Sequence, residues 1–215
     1  MFHGSSSFQA KYSRKTEKCK CISYRNVVIC SYEVRNMAIR TATTADLEQM
    51  LSIYAYFVEH TAVSFEYVLP TKEEFERRFL SHICTYPWLV YEESGMVLGY
   101  AYAGRAFERA AYSWNAEISC YLAPQARRRG IGTALYAQIE EILRRQGCRK
   151  VFAVVTSANE ASVRFHETIG YRTCAVYRDV GYKLGNWYDV IWLEKFLQPL
   201  GAPETFPIPW QELKD

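Results

Sequence analysis

From Met37 onward, apolar residues recur with two alternating periods, one of two residues and one near 3.6. Ala38–Thr41 reads as a short strand, and Thr44 then caps a helix carrying Leu47, Met50, Leu51, Tyr54 and Val58 on one face. Thr71 and Glu74 have capping-box spacing and open a second helix toward Ser81. Trp88–Tyr91 and Val97–Ala103 form two apolar runs around Ser94-Gly95, which predicts a hairpin. The most regular strand spans Tyr112–Leu122. Its even positions Tyr112, Trp114, Ala116, Ile118, Cys120 and Leu122 share one face, opposite Ser113, Asn115, Glu117, Ser119 and Tyr121. A helix from Ile131 to Gln146 turns Ile131, Leu135, Ile139, Ile142 and Leu143 inward and ends at Gly147. Val151–Val155 is a buried strand. Ser157 with Glu160 opens a short helix that Gly170 closes, Tyr171–Val180 and Trp187–Leu193 are final strands, and a Pro-rich tail begins at Pro199. The order β-α-α-β-β-β-α-β-α-β-β predicts an α/β fold with a mostly antiparallel sheet and helices on both faces.

Residues 1–36 break the pattern. They are Ser-rich and basic, with one brief apolar run at Val27–Cys30, and are expected to be a disordered leader. Two origins stay open for it: a translated region upstream of a start at Met37, or a transit peptide or basic interaction arm. The expected organisation is thus 1–36 leader, 37–198 domain and 199–215 tail. The leader holds seven Lys/Arg against Glu17 and Glu33, while the whole chain nets +3, so the remainder nets −2. A body so close to neutral lacks the basic stripe of a nucleic-acid binder.

Seven cysteines are scattered, odd in number and without the paired spacing of a zinc site, so no metal is expected. They suit a reducing compartment, and the cytoplasm is expected. No apolar stretch is long enough to span a membrane. Aromatic residues reach 15%, led by Tyr, which fits either an aromatic core or a lined pocket.

The segment Arg127-Arg128-Arg129-Gly130-Ile131-Gly132 lies between the long strand and its following helix. Two glycines one residue apart permit a tight turn with outward amides, and the helix start adds free N–H donors through Thr133. With three arginines around it, such a turn suits a pyrophosphate. No Gly-Lys-Ser/Thr follows, so it is not a Walker loop, and it lacks the third glycine of a dinucleotide fingerprint.

In this setting the turn resembles the Arg/Gln-x-x-Gly-x-Gly/Ala motif of the GCN5-related N-acetyltransferases. Asn159, Ser162, Phe165, His166, Glu167, Gly170 and Tyr171 resemble that family's helix beside the pantetheine arm. Several stretches are similar to the phosphinothricin acetyltransferase branch: Tyr86-Pro87-Trp88-Leu89-Val90, Ala101-Tyr102-Ala103-Gly104, Ala111-Tyr112-x-Trp114-x-Ala116-Glu117, Ser162-Val163-Arg164-x-His166-Glu167 and Gly185-Asn186-Trp187-x-Asp189-Val190. The resemblance runs from Met37 to about Leu197. It implies a seven-stranded domain with about four helices, a homodimer, acetyl-CoA as co-substrate, and an amino-acid acceptor such as phosphinothricin, methionine sulfone or methionine sulfoximine. A sensor that binds CoA without catalysis, and an enzyme for protein N-termini or polyamines, are the alternatives.

Amide formation from a thioester needs a deprotonated amine, which an α-amino group at neutral pH is not. The resemblance makes Glu117 the general base, and His166 (Tyr in many relatives) a candidate donor to the leaving thiolate. Backbone amides near Ser119, Cys120 and Tyr121 would hold the tetrahedral intermediate. Arg109 matches a family position beside the substrate and, with Lys183, is a candidate cation for the acceptor's carboxylate. Phe65, Tyr112 and Trp187 would wall the pocket.

Overall fold

The computed structural model describes residues 19–24, 27–32 and 37–213, and the chain divides into two compact units, Met1–Asn36 and Met37–Asp215. In the first, β1 (Cys19–Tyr24) and β2 (Val27–Tyr32) pair as an antiparallel hairpin. The rest of the expected leader lies outside the described residues.

The second unit holds β3 (Met37–Thr41), α1 (Leu47–His60), α2 (Lys72–Ile83), β4 (Trp88–Glu93), β5 (Met96–Arg105), β6 (Asn115–Leu122), α3 (Ile131–Gln146), β7 (Lys150–Thr156), α4 (Glu160–Thr168), β8 (Arg172–Lys183) and β9 (Asn186–Phe196). This is the predicted order. The seven strands form one sheet in the order β3-β4-β5-β6-β7-β9-β8, antiparallel except for β6 against β7. Ser94 and Gly95 make the β4–β5 turn with both φ positive, at 53° and 82°, as a two-residue hairpin requires.

Helices cover both faces. On one, Trp88 of β4 meets Phe75 and Phe79 of α2 edge-on, and Tyr121 of β6 meets Tyr54 and Phe57 of α1. Leu122, the next residue, points the other way and touches the α3 start near Gly132. Ile131, Leu135, Ile139 and Leu143 of α3 are fully buried on that side, while Ile142 is half-buried.

Several expected boundaries move. Thr43, rather than Thr44, starts the α1 approach: its amide and hydroxyl both donate to Asp46. Thr71 accepts from the Glu74 amide, but the Glu74 carboxylate turns to Arg78 instead of closing the box. Asn159, not Ser157, caps α4, because the Ser157 hydroxyl is taken by the Asp189 amide. The long strand begins three residues later than expected, at Asn115, since Ala110–Tyr112 is a 3-10 turn.

The tail is not a loose loop. Thr205 accepts from the Trp114 indole, Phe206 stacks on that ring, Ile208 exchanges bonds with Gln146, and the Trp210 indole donates to Ile83. It fastens the ends of α2 and α3 to the foot of β6.

Candidate active site

Strands β6 and β7 pair over only three positions, Asn115–Lys150, Ala116–Val151 and Glu117–Phe152. Beyond Glu117 they part, and backbone that would have continued the ladder faces an open wedge. The wedge is a cleft of about 730 Å³. Its walls are Ile118–Leu122 of β6 and Ala153–Thr156 of β7, the start of α3 closes one end, and α4 supplies Asn159, Ser162, Phe165 and His166.

Gly130 opens α3 at φ 77°, a left-handed position that a side chain would strain. The amides of Ile131, Gly132 and Thr133 precede the first helical bond, from Ala134 to Gly130, so they have no intrahelical acceptor. They face the cleft at the positive end of the helix dipole. Gly132 is needed for closeness: a Cβ there would sit 3.4 Å from the Phe165 ring. Of the three arginines, Arg127 and Arg128 line the cleft. The Arg127 guanidinium lies 5.5 and 5.7 Å from the Tyr56 and Phe57 ring centres. Arg129 departs from expectation. It pairs with the buried Glu93 carboxylate and pins the turn to the β4–β5 hairpin instead of lining the cleft.

Ser119, Cys120, Tyr121, Asn159 and Ser162 all line the cleft. Asn159 spends its side-chain oxygen on the Ser162 amide, which leaves its NH₂ group for a ligand. Cys120 is a free thiol that burial pushes up to about 12, so it stays protonated.

His166 is buried and its nitrogens are both occupied. Nδ1 lies 2.7 Å from the Ser162 carbonyl, which can only accept, so Nδ1 carries the hydrogen. Nε2 then accepts from the Tyr136 hydroxyl at 2.7 Å. Burial lowers its pKa, with the Ser162 bond opposing. With both nitrogens occupied, the ring is placed to orient Tyr136. Tyr136 was not among the predicted residues. The signal was its place at i+4 from Gly132, one turn along the same helix face.

Glu117 stands at the last shared rung, where the strands part. Burial alone raises its carboxyl above the usual range, and no donor among the described residues reaches it. Beside it, Phe152, Phe107, Trp192 and Tyr112 form a connected aromatic surface, with ring centres 5.0 to 5.7 Å apart. Arg109 borders this surface two residues after Phe107, exposed and without an ion pair among the described residues.

The other predicted acceptor contacts lie apart from the cleft lining. Phe65 packs on Gly181 so closely that a Cβ there would meet the ring at 2.2 Å. Trp187 is 61% exposed and tilts against Tyr182. Lys183 is not a free cation: it is 3% exposed and donates to the Val58 and Ser64 carbonyls, both at 2.7 Å. Burial lowers its pKa, with Glu66 opposing. Val58 lies in the last turn of α1, where carbonyls lack helical partners, so Lys183 caps that helix. Among the described residues no group of three or more His, Cys, Asp or Glu could hold a metal, and no helix is long and apolar enough to cross a membrane.

Comparison with known proteins agrees with this geometry. Residues 39–192 match the family model described as acetyltransferase (GNAT) domain. The chain is 37% identical to phosphinothricin N-acetyltransferase of Streptomyces viridochromogenes, over 83% of this chain and 98% of that one. It is 32% identical to an L-methionine sulfoximine/L-methionine sulfone acetyltransferase of Salmonella typhimurium, covering 79% and 99%. Among solved structures it is similar to a phosphinothricin acetyltransferase from Sinorhizobium meliloti in complex with acetyl-CoA, with TM-score 0.74, 32% identity and coverage of 80% and 92%.

Proposed function

The chain belongs to the GNAT acetyltransferases and is an acetyl-CoA-dependent N-acetyltransferase; on that premise we propose that its acceptor is the α-amino group of a small amino acid of the phosphinothricin and methionine sulfone or sulfoximine kind. The observation that carries this is the wedge between β6 and β7, with free amides at the α3 end and the unpartnered Glu117 at the point of parting. The pyrophosphate suits the amides of residues 131–133 with Arg127 and Arg128, and the pantetheine arm suits the open edges of β6 and β7, which offer it backbone partners. Glu117 takes the amine's proton, the nitrogen attacks the thioester carbon, and amides of residues 119–121 receive the oxyanion before the C–S bond breaks.

Arg109 is the cation for the acceptor's carboxylate, and the aromatic surface beside Glu117 shields the reaction from water. Replacing Arg109 with Ala is expected to raise KM for the amino acid about 10- to 100-fold, the loss of one charge-assisted hydrogen bond, with kcat little changed. An unchanged KM in steady-state kinetics would remove Arg109 from the site. The acceptor class is tested by following CoA thiol release over a panel of amino acids, their sulfone analogues, polyamines and peptide N-termini. Turnover confined to polyamines or peptides would overturn it.

The enzyme acts as a homodimer in the cytoplasm, without a nucleic-acid partner. Val176, Tyr177 and Val180 expose 40–55% of their surface along β8, an edge strand, and such a face favours covering by a second copy. Cys84, Cys120, Cys148 and Cys174 are free, which suits a reducing compartment. Sedimentation giving only monomer would exclude the dimer.

A further inference from the structure

Gly104 of β5 is the direct cross-strand partner of Glu117 on β6. Cross-strand partners project to the same face, with Cβ positions about 4.5–5.5 Å apart. Gly104 has no side chain, and the space is taken by the imidazole of His82 from α2. A Cβ on Gly104 would lie 3.4 Å from His82 Cδ2 and 3.6 Å from Nε2. The Cδ2–Nε2 edge of His82 therefore stands over the position next to Glu117.

The imidazole is held there firmly. Its Nδ1 lies 2.8 Å from the Arg78 carbonyl, an acceptor only, so Nδ1 bears the hydrogen and Nε2 presents a lone pair. Trp88 and Tyr102 meet the ring edge-on, each with centres 6.3 Å away. No hydrogen bond occupies Nε2 among the described residues, and none occupies the Glu117 carboxylate. Two unfilled acceptors on one patch of the sheet leave room for a bridging water or for the N–H of an acceptor amine. His82 is half-buried, with exposed Ser81 beside it, so one side of the ring leads to solvent.

We propose that His82 is a positioning and relay residue for the acetyl transfer, acting through Glu117. The inference rests on Glu117 being the base. The ammonium gives one proton to the Glu117 carboxylate, the freed nitrogen pair forms the bond to the acetyl carbon, and the remaining excess N–H proton passes to the departing sulfur. The C–S pair leaves with sulfur. The Glu117 proton then passes through the bridging water to His82 Nε2, and from the imidazolium to bulk water, restoring the carboxylate. The charged and titratable groups around the imidazole are Arg78 on its own helix, Glu66 that pairs with Arg78, Tyr102 on β5, and Glu117 on β6.

The test compares His82→Asn with His82→Gln in the full-length enzyme. Asn keeps a donor near the Nδ1 position and removes Nε2, while Gln places a polar atom near Nε2. Expected is a roughly 10-fold loss of kcat in His82→Asn, partial retention in His82→Gln, and partial recovery of His82→Asn by added imidazole. One ionisation should also drop out of the kcat–pH profile, with KM for acetyl-CoA unmoved. Should neither variant fold, ¹⁵N NMR of the wild-type imidazole during titration with the acceptor decides. A moved Nε2 signal supports the relay and an unmoved one overturns it. Folded variants with wild-type kcat and an unaltered profile overturn it too, whereas a wild type that acetylates no amino acid overturns the acceptor assignment beneath it.

Discussion

Exchanging Glu117 for Gln is expected to lower kcat by about 10²- to 10⁴-fold, the usual contribution of a positioned general base. Acetyl-CoA affinity should stay near wild type, because the cleft walls begin at Ile118 and the α3 amides are remote from the exchange. The same substitution should raise the thermal midpoint. Burial without a donor lifts the Glu117 carboxyl above its unfolded value. Such a group stabilises the fold below the unfolded pKa, and that contribution disappears as pH rises through the folded one. At neutral pH the carboxylate is thus a cost, which a neutral amide avoids. Activity follows the opposite sense and is lost as pH falls through the raised pKa. Paired measurements of kcat and melting temperature decide it. Near-normal turnover in the Gln variant would exclude Glu117 as base, and a lowered midpoint would mean that its carboxylate serves the fold.

Changing Lys183 to Met is expected to destabilise the domain by about 2–4 kcal/mol, lowering Tm by roughly 5–15 °C. Two buried carbonyls, of Val58 and Ser64, lose their donor, and the last turn of α1 loses the positive charge that faces its dipole. Met fills the space of the stem but donates nothing, so the cost is that of unsatisfied acceptors and not of a cavity. Denaturant melts of both proteins read the difference directly. A change within 0.5 kcal/mol, accompanied by a large rise in KM for the amino acid, would return Lys183 to the acceptor site.

Periodicity carried the fold far. The alternation through Ile118, the Ser94-Gly95 turn and the four-residue spacing of Ile131, Leu135, Ile139 and Leu143 each correspond to an element at nearly the predicted place. The glycine turn also pointed to the cleft, because two glycines between a strand and a helix start permit a tight turn with outward amides. Periodicity assigns a face but not a partner, and there the chain was less legible. Arg129 looked like its neighbours, yet Glu93, 36 residues away, claims it. Lys183 looked like a cation for the acceptor's carboxylate, yet its acceptors are carbonyls 125 and 119 residues upstream. His166 matched a motif whose chemistry depends on what occupies its two nitrogens, and Tyr136, one of those occupants, sat unremarked in the helix pattern. His82 gains meaning only because β5 sets a glycine beneath it.

The tail described above bears on how the molecule comes to be folded. Trp114, just ahead of the strand that bears Glu117, is tied to Thr205 across 91 positions, and Ile83 to Trp210 across 127. Contacts so distant along the chain close late, since the entropy of ordering the intervening loop must be overcome first. During synthesis the edge of β6 toward β7 stays unmet until β7 has left the ribosome. The cleft lining, Tyr56 to His166, is therefore made before the segment that fastens the foot of β6.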